Sequence, residues 1–256
     1  MPMMTVTPIP ALRDNYIWAM HSEGHAVVVD PGVAEPVVRW LDDEGLQLAG
    51  ILITHHHGDH TGGMPELKQR YRVPVVGPAG GHIRGIDRHV GEGDRVVPAP
   101  GFPEYTVLEV PGHTLDHIAY YAPGHLFCGD TLFSAGCGRL FEGNAEQLHQ
   151  SLAKFAALPG PTRVYAAHEY TVANLEFARS VLPGDEKIEK ALANALKIRE
   201  NVNPTLPSSV ARERDINVFL RTEEPVVRAA AEKHAGGKLE TGVAVLAALR
   251  HWKDEF

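Results

Sequence analysis

Six consecutive residues, His55-His56-His57-Gly58-Asp59-His60, carry four imidazoles and a carboxylate. Side chains two apart in extended backbone project the same way, so His55 and His57 are placed to hold one ion together while His56 points away. Gly58 permits a sharp reversal, after which Asp59 and His60 face a second ion. Two ions need further ligands and something between them. The candidates are His113 in Pro111-Gly112-His113-Thr114, Asp130 in Cys128-Gly129-Asp130-Thr131, and His168 in Ala166-Ala167-His168-Glu169. Imidazole with carboxylate is a borderline-hard set suited to zinc, iron or manganese. A lone histidine is ordinarily a surface or hydrogen-bonded residue; seven such side chains beside small residues at strand ends are not explained that way. His168-Glu169 does not begin an HExxH motif because position 172 is Val, and no P-loop, GxGxxG or GxSxG is present. His21, His25, His82, His89, His117, His125 and His149 lack a partner pattern and are read as structural or surface residues.

The elements that must position this set are legible in outline. Apolar, β-branched runs at 25–30, 49–54, 73–77, 105–110, 118–121, 126–128 and 164–166 read as strands, and each candidate ligand lies just past one of them. Helical patterns occupy 34–44, closed by Gly45, then 64–71, then 145–158, closed by Pro159-Gly160. Mixed strands and helices imply a layered α/β core. Beyond about residue 171 the strand signal largely disappears. Segments 176–181, 186–202, 208–219, 226–234 and 242–253 read as helices, broken at Pro183-Gly184, Asn203-Pro204 and Gly236-Gly237. The change of period suggests a boundary near residue 173.

Charge sharpens the reading. Residues 1–173 hold 11 basic and 19 acidic side chains, a balance of −8, and 13 of the 15 histidines, whereas residues 174–256 hold 13 of each sign. An acidic, His-rich segment suits divalent cations and argues against a nucleic-acid surface, which would be basic. No apolar run approaches the ~20 residues that a membrane span requires. The N-terminal stretch MPMMTVTPIPALRD has no basic residue ahead of an apolar block, so a signal peptide is not expected. Two cysteines, Cys128 and Cys137, are too few for a disulfide framework, which points to a reducing cytoplasmic setting.

The run His55-x-His57-x-Asp59-His60, with His113, Asp130, His168 and the strand end Val29-Asp30-Pro31-Gly32, resembles the metallo-β-lactamase superfamily. Within it the chain is similar to the glyoxalase II (hydroxyacylglutathione hydrolase) family. That likeness rests on Asp14-Asn15-Tyr16, on 136–143 (GCGRLFEG), on His168-Glu169-Tyr170-Thr171 and on the terminal 250–256 (RHWKDEF). The resemblance covers essentially the whole chain. It implies an α/β fold, a metallo-β-lactamase-type αβ/βα sandwich over 1–173, followed by a small all-helical substrate-binding domain over 174–256. It implies His55, His57 and His113 on one divalent ion, Asp59, His60 and His168 on the other, and Asp130 bridging them, zinc being favoured over iron or manganese. A metal-bridging hydroxide, oriented by Asp59, would then hydrolyse S-D-lactoylglutathione and related 2-hydroxyacyl thioesters to D-lactate and glutathione, the second step of methylglyoxal detoxification.

The same resemblance places Arg139, Arg250 and Lys253 at the glycine carboxylate of glutathione, with Tyr170 donating a hydrogen bond. Two positions depart from some family members. Arg139 replaces Lys, which keeps charge but changes geometry, and Phe141 replaces Tyr, which removes one hydroxyl. Only affinity is affected by these. A monomer acting on a small molecule, with no nucleic-acid or membrane partner, is expected. The rival readings are a mononuclear iron persulfide dioxygenase, which would lack the Arg-x-x-Lys-Asp tail, another hydrolase of the superfamily such as a lactonase, and a metal-buffering protein.

Overall fold

Among the described residues, strand β1 (Thr5–Ala11) pairs only with β2 (Asn15–Ser22), and that edge position tolerates Pro8 and Pro10, which cannot donate to a second neighbour. The computed structural model describes residues 4–256, so the first three residues of the N-terminal stretch lie outside the described residues. β2 continues antiparallel into β3 (His25–Val29), and then β4 (Gln47–Leu52), β5 (Val75–Pro78) and β6 (Arg88–Val90) add in parallel. Buried parallel strands read as continuous apolar runs, which is why 25–30 and 49–54 were conspicuous. The proline-bearing β1 and the short β6 were not legible in that way. Two crossovers in this sheet carry α1 (Glu35–Glu44) and α3 (Met64–Tyr71), and a single-turn helix α2 (Gly58–Thr61) precedes the latter. Gly45 ends α1 in the left-handed conformation at φ 65°, as its place in the sequence suggested.

A second antiparallel run follows: β7 (Arg95–Val96), β8 (Tyr105–Glu109), β9 (Ile118–Ala122) and β10 (His125–Gly129). Met1–Glu109 and Asp116–Gly129 together make one compact unit, and Val110–Leu115 with Asp130–Phe256 make another. In the first unit, α1 and α3 bury Val37, Leu41, Met64 and Leu67 in one core cluster with Ile17, Val28, Ile51 and Val75 of the sheet.

After Val110–Leu115, the second unit continues with a tight hairpin, β11 (Leu132–Phe133) and β12 (Gly136–Cys137). Next come α4 (Ala145–Ala156) and β13 (Arg163–Ala166), and then α5 (Thr171–Val181) and α6 (Glu186–Arg199). A two-residue strand β14 (Ser208–Ser209) pairs with β13, a small exception to the helical reading of this segment. It leads into α7 (Val210–Ile216), α8 (Pro225–Ala235) and α9 (Gly242–Glu255). Local chemistry starts α4, α6 and α9 where expected, whereas α5 begins at Thr171, five residues before the expected start. Asn144 and Gln147 form a reciprocal capping box on α4, the Asp185 carboxylate accepts from the amides of Lys187 and Ile188, and Thr241 caps α9.

Candidate metal centre

In the first unit the histidine run leaves the C-terminal end of β4, the edge of a parallel sheet where ligands characteristically bind. His55 Nε2 lies 3.1 Å from His57 Nδ1, so these two rings do converge on one side. His56 turns the other way, its Nδ1 2.9 Å from the Asp116 carboxylate. Gly58 makes no left-handed reversal; it begins helix α2, and that helix redirects Asp59 and His60. His60 Nε2 lies 3.4 Å from Asp59 Oδ2, which also accepts from Asn15 Nδ2 at 3.0 Å.

Buried Asp30, in the left-handed region at φ 52°, organises two of these rings. Its carboxylate accepts from the Thr54 amide at 2.7 Å, the Thr54 hydroxyl at 2.7 Å and His60 Nδ1 at 3.1 Å. The Thr54 hydroxyl gives its one proton to Asp30, so at 3.0 Å it accepts from His55 Nδ1. Both imidazoles therefore carry their proton on Nδ1 and present the Nε2 lone pair. Outer hydrogen bonds of this kind fix the tautomer of metal-binding histidines. Asp30, His55 and His60 each bring one ligand atom within 4.8 Å of the others. Buried His117 stacks on His55 at 4.5 Å and 17° and packs its ring in place.

The second unit holds the other three predicted ligands. Asp130 Oδ2 lies 3.4 Å from His113 Nε2 and Asp130 Oδ1 lies 3.4 Å from His168 Nε2. Each carboxylate oxygen thus faces a different imidazole. His113 Nδ1 donates to Arg139 O at 2.9 Å, so Nε2 carries the lone pair. Gly138 is required beside it, because a Cβ there would collide with Asp130 O and stand 3.0 Å from His113 Nδ1. Tyr170 stacks on His168 at 4.7 Å and 6°. Exposed Phe141 meets the His113 ring edge-on at 5.2 Å.

The predicted substrate cations also lie in this unit. Buried Arg250 donates to Cys137 O at 2.9 Å and to Asp254 Oδ1 at 3.1 Å, and Arg139 Nε reaches the same Asp254 oxygen at 3.3 Å. Lys253 Nζ donates to Ala173 O at 3.0 Å and lies over the rings of Phe177 and Phe256. Burial first, then the Arg250 charge, pulls the Lys253 ammonium down to about 8.

Comparison with known proteins decides the family. Residues 12–168 match the metallo-beta-lactamase superfamily, and residues 169–256 match the hydroxyacylglutathione hydrolase C-terminus. A hydroxyacylglutathione hydrolase from Chromohalobacter salexigens is 51% identical over 260 residues, covering 99% of this chain and 100% of that protein. The chain belongs to the hydroxyacylglutathione hydrolase family. A second member, from Nitrosomonas europaea, is 47% identical over 254 residues, covering 99% of this chain and 97% of its own. Among solved structures, BLEG-1 B3 metallo-beta-lactamase superposes with a TM-score of 0.63 at 22% identity, over 85% of this chain and 99% of that one. The fold is therefore the metallo-β-lactamase αβ/βα fold with a helical C-terminal region, as the motifs implied.

This hydroxyacylglutathione hydrolase family member has a donor set that fits divalent ions. The imidazoles of His55, His60, His113 and His168 are buried, oriented by partners on their far nitrogens or stacked in place, and accompanied by carboxylates. Sequence reasoning passed over four residues that contact the histidine run: Asn15 on Asp59, Asp30 on His60, Asp116 on His56 and His117 on His55. Asn15 and Asp30 lay inside the motifs Asp14-Asn15-Tyr16 and Val29-Asp30-Pro31-Gly32. His117 and Asp116 carried no signal, since nothing in the spacing says that they fold back on His55 and His56.

Proposed function

We infer that this protein is a metal-dependent thioester hydrolase that cleaves S-D-lactoylglutathione and related 2-hydroxyacyl-glutathiones to the hydroxy acid and glutathione. The observation that carries this reading is the union of a buried His/Asp donor set with a C-terminal segment that matches hydroxyacylglutathione hydrolases specifically.

We propose that His55, His57 and His113 form one ligand trio, that Asp59, His60 and His168 form the other, and that Asp130 is shared between them. Zinc suits these donors, and iron or manganese would be accommodated by the same set. Bound divalent ions would supply Lewis acidity, bringing the pKa of water near neutrality and polarising a carbonyl. The chain's own residues do the rest. Asn15 donates to the Asp59 carboxylate, which would orient an attacking water. Arg139 in its loop, with Arg250 and Lys253 on α9, offers three cations for the carboxylate of the glutathione glycine, the guanidiniums in bidentate fashion and the ammonium as a point charge. Tyr170 would donate its hydroxyl to the same moiety. Residues 174–256 thus act as a substrate-binding domain. A glutathione thiolate is a competent leaving group, so no separate protein acid is needed.

One chain supplies every proposed ligand, so a monomer suffices. Both cysteines are buried and outside any disulfide, in keeping with a reducing cytoplasm. Among the described residues no helix is long and apolar enough to cross a membrane.

The deciding experiment is hydrolysis of S-D-lactoylglutathione by purified protein under anaerobic conditions, with and without chelator, with metals counted on the same sample. Turnover that vanishes on chelation and returns with about two divalent ions per chain is the expected result. A fully metallated sample that leaves the thioester intact would overturn the assignment, and oxygen uptake on glutathione persulfide would then be measured.

A further inference from the structure

Glu213, in the first turns of α7, is fully buried and sits at the centre of a hydrogen-bond cluster that the reaction does not use directly. Its Oε1 accepts from Ser134 Oγ at 3.0 Å and from Ser208 Oγ, and its Oε2 accepts from the Ala135 amide at 2.7 Å and from Asn217 Nδ2 at 3.2 Å. Burial pushes the carboxyl pKa up, and these four donors oppose that shift. A carboxylate with four donors around it is a strong local anchor, and what it anchors is the turn between β11 and β12.

Buried side chains meet further backbone groups at that turn. Asn217 Nδ2 also reaches Phe133 O at 3.2 Å and Gly136 O at 3.0 Å, Asn174 Nδ2 donates to Ser134 O at 3.0 Å, and Arg250 donates to Cys137 O at 2.9 Å. Ala135 adopts φ 56°, a left-handed conformation that a non-glycine residue keeps only when its surroundings over-determine it. The hairpin begins two residues after Asp130. It ends on Gly138, whose amide closes on Thr131 O at 3.3 Å, and on Arg139, whose carbonyl holds His113 Nδ1.

We propose that Glu213 is a positioning residue for the metal centre: it locks the Leu132–Cys137 hairpin, and the hairpin sets the His113 ring, the Asp130 carboxylate and the Arg139 side chain. The inference rests on the metal-dependent hydrolase reading above. It differs from a purely structural role in what it moves, since a stability strut would lower the melting temperature and leave the folded enzyme's metal affinity and kinetics alone.

Two substitutions separate these. Glu213→Gln keeps the size of the side chain, and its amide NH2 can take the Oε1 place because the Ser134 and Ser208 hydroxyls can turn from donors into acceptors. Glu213→Ala removes all four bonds. In chelator competition on folded protein, Glu213→Ala should bind divalent zinc about tenfold more weakly, the lower end of the loss that follows removal of a partner touching the ligands directly. Its kcat on the lactoyl thioester should fall alongside, and Glu213→Gln should restore both readouts towards wild type. Folded Glu213→Ala with wild-type zinc affinity and kcat would overturn the proposal. Should Glu213→Ala not fold, Asn174→Ala decides instead, because it releases the Ser134 carbonyl and leaves the Glu213 carboxylate in place: weakened zinc affinity supports the proposal and wild-type affinity overturns it. Wild-type protein that neither binds zinc nor hydrolyses the thioester would sink the functional reading rather than this one.

Discussion

Arg139 and Arg250 share one acceptor atom: Asp254 Oδ1 lies 3.3 Å from Arg139 Nε and 3.1 Å from Arg250 Nη2. A loop cation and a helix cation, 111 positions apart in the chain, are thereby brought to one carboxylate. Their surroundings differ. The Arg139 side chain is 63% exposed and that of Arg250 is 6% exposed. Arg250 is part of the packed structure, whereas Arg139 is held mainly by this one ion pair.

The contrast in burial separates the two residues experimentally. Arg139→Ala should raise KM for the glutathione thioester with little change in kcat or melting temperature, because it removes binding that ground state and transition state share. Arg250→Ala should raise KM as well, and should also destabilise the fold, since leaving the buried Cys137 carbonyl without its donor costs about 1–3 kcal/mol. Steady-state kinetics with thermal melts on both variants check this. A fall in kcat at constant KM for Arg139→Ala would remove it from the carboxylate-binding role.

Lys253, as proposed for substrate binding, should give that step a pH dependence. Its ammonium is pulled down to about 8 by burial and by Arg250, so it is charged below that pH and neutral above it. The charged form attracts the substrate carboxylate, so KM should be lowest below pH 8 and rise as pH passes through that value. The rise should be roughly threefold to fivefold, the worth of a partly solvated charge contact of at most about 1 kcal/mol. Lys253→Arg should flatten the profile, since a guanidinium stays protonated throughout. A KM that is flat from pH 7 to 9.5 in the wild type would exclude Lys253 from substrate binding.

Asp130 is the residue on which metal content should depend most. Its two oxygens face His113 and His168 separately, so no other side chain can take over both contacts. Asp130→Ala should lose metal occupancy and activity together, with kcat lowered by at least about 100-fold if Lewis-acid activation contributes several kcal/mol. Elemental analysis and turnover on one preparation test this. Full activity with two ions retained would remove the bridging role.

How much of this was legible in the sequence depends on whether the information is local. The buried parallel strands announced themselves as apolar runs, and the helix ends as caps and glycines, so the predicted helices at 34–44 and 64–71 fall within a residue of those observed. The proline-bearing edge strand β1 and the two-residue strands of the β11–β12 hairpin were silent. An edge strand needs only half its hydrogen bonds, and a hairpin that short carries no periodicity. At the site, His55 and His57 could be paired from spacing alone because extended backbone dictates it. The redirection of Asp59 and His60 was credited to a glycine turn and is made by helix α2 instead. Supporting contacts such as Glu213 to Ala135 join residues 78 positions apart, and nothing short of the folded chain reveals them.

The Asp30–Thr54 pair provides the sharpest test of how the first-unit histidines are tuned. Thr54 donates its only hydroxyl proton to Asp30, which obliges it to accept from His55 Nδ1, and Asp30 accepts directly from His60 Nδ1. Thr54→Val keeps the side-chain shape and removes the hydroxyl, so the fold should persist while His55 loses the partner that fixes its tautomer. Metal affinity should fall by about tenfold for Thr54→Val and by up to about 100-fold for Asp30→Ala, the range seen when outer-shell partners of metal-bound histidines are removed. Asp30→Ala should be the worse of the two because it frees both rings at once and strips the Thr54 amide of its acceptor. Competition with a graded chelator measures both losses on one scale. If Thr54→Val bound metal as tightly as wild type, His55 would be held by the His117 stack and not by its hydrogen bond, and the double variant Thr54→Val with His117→Ala would then show the larger loss.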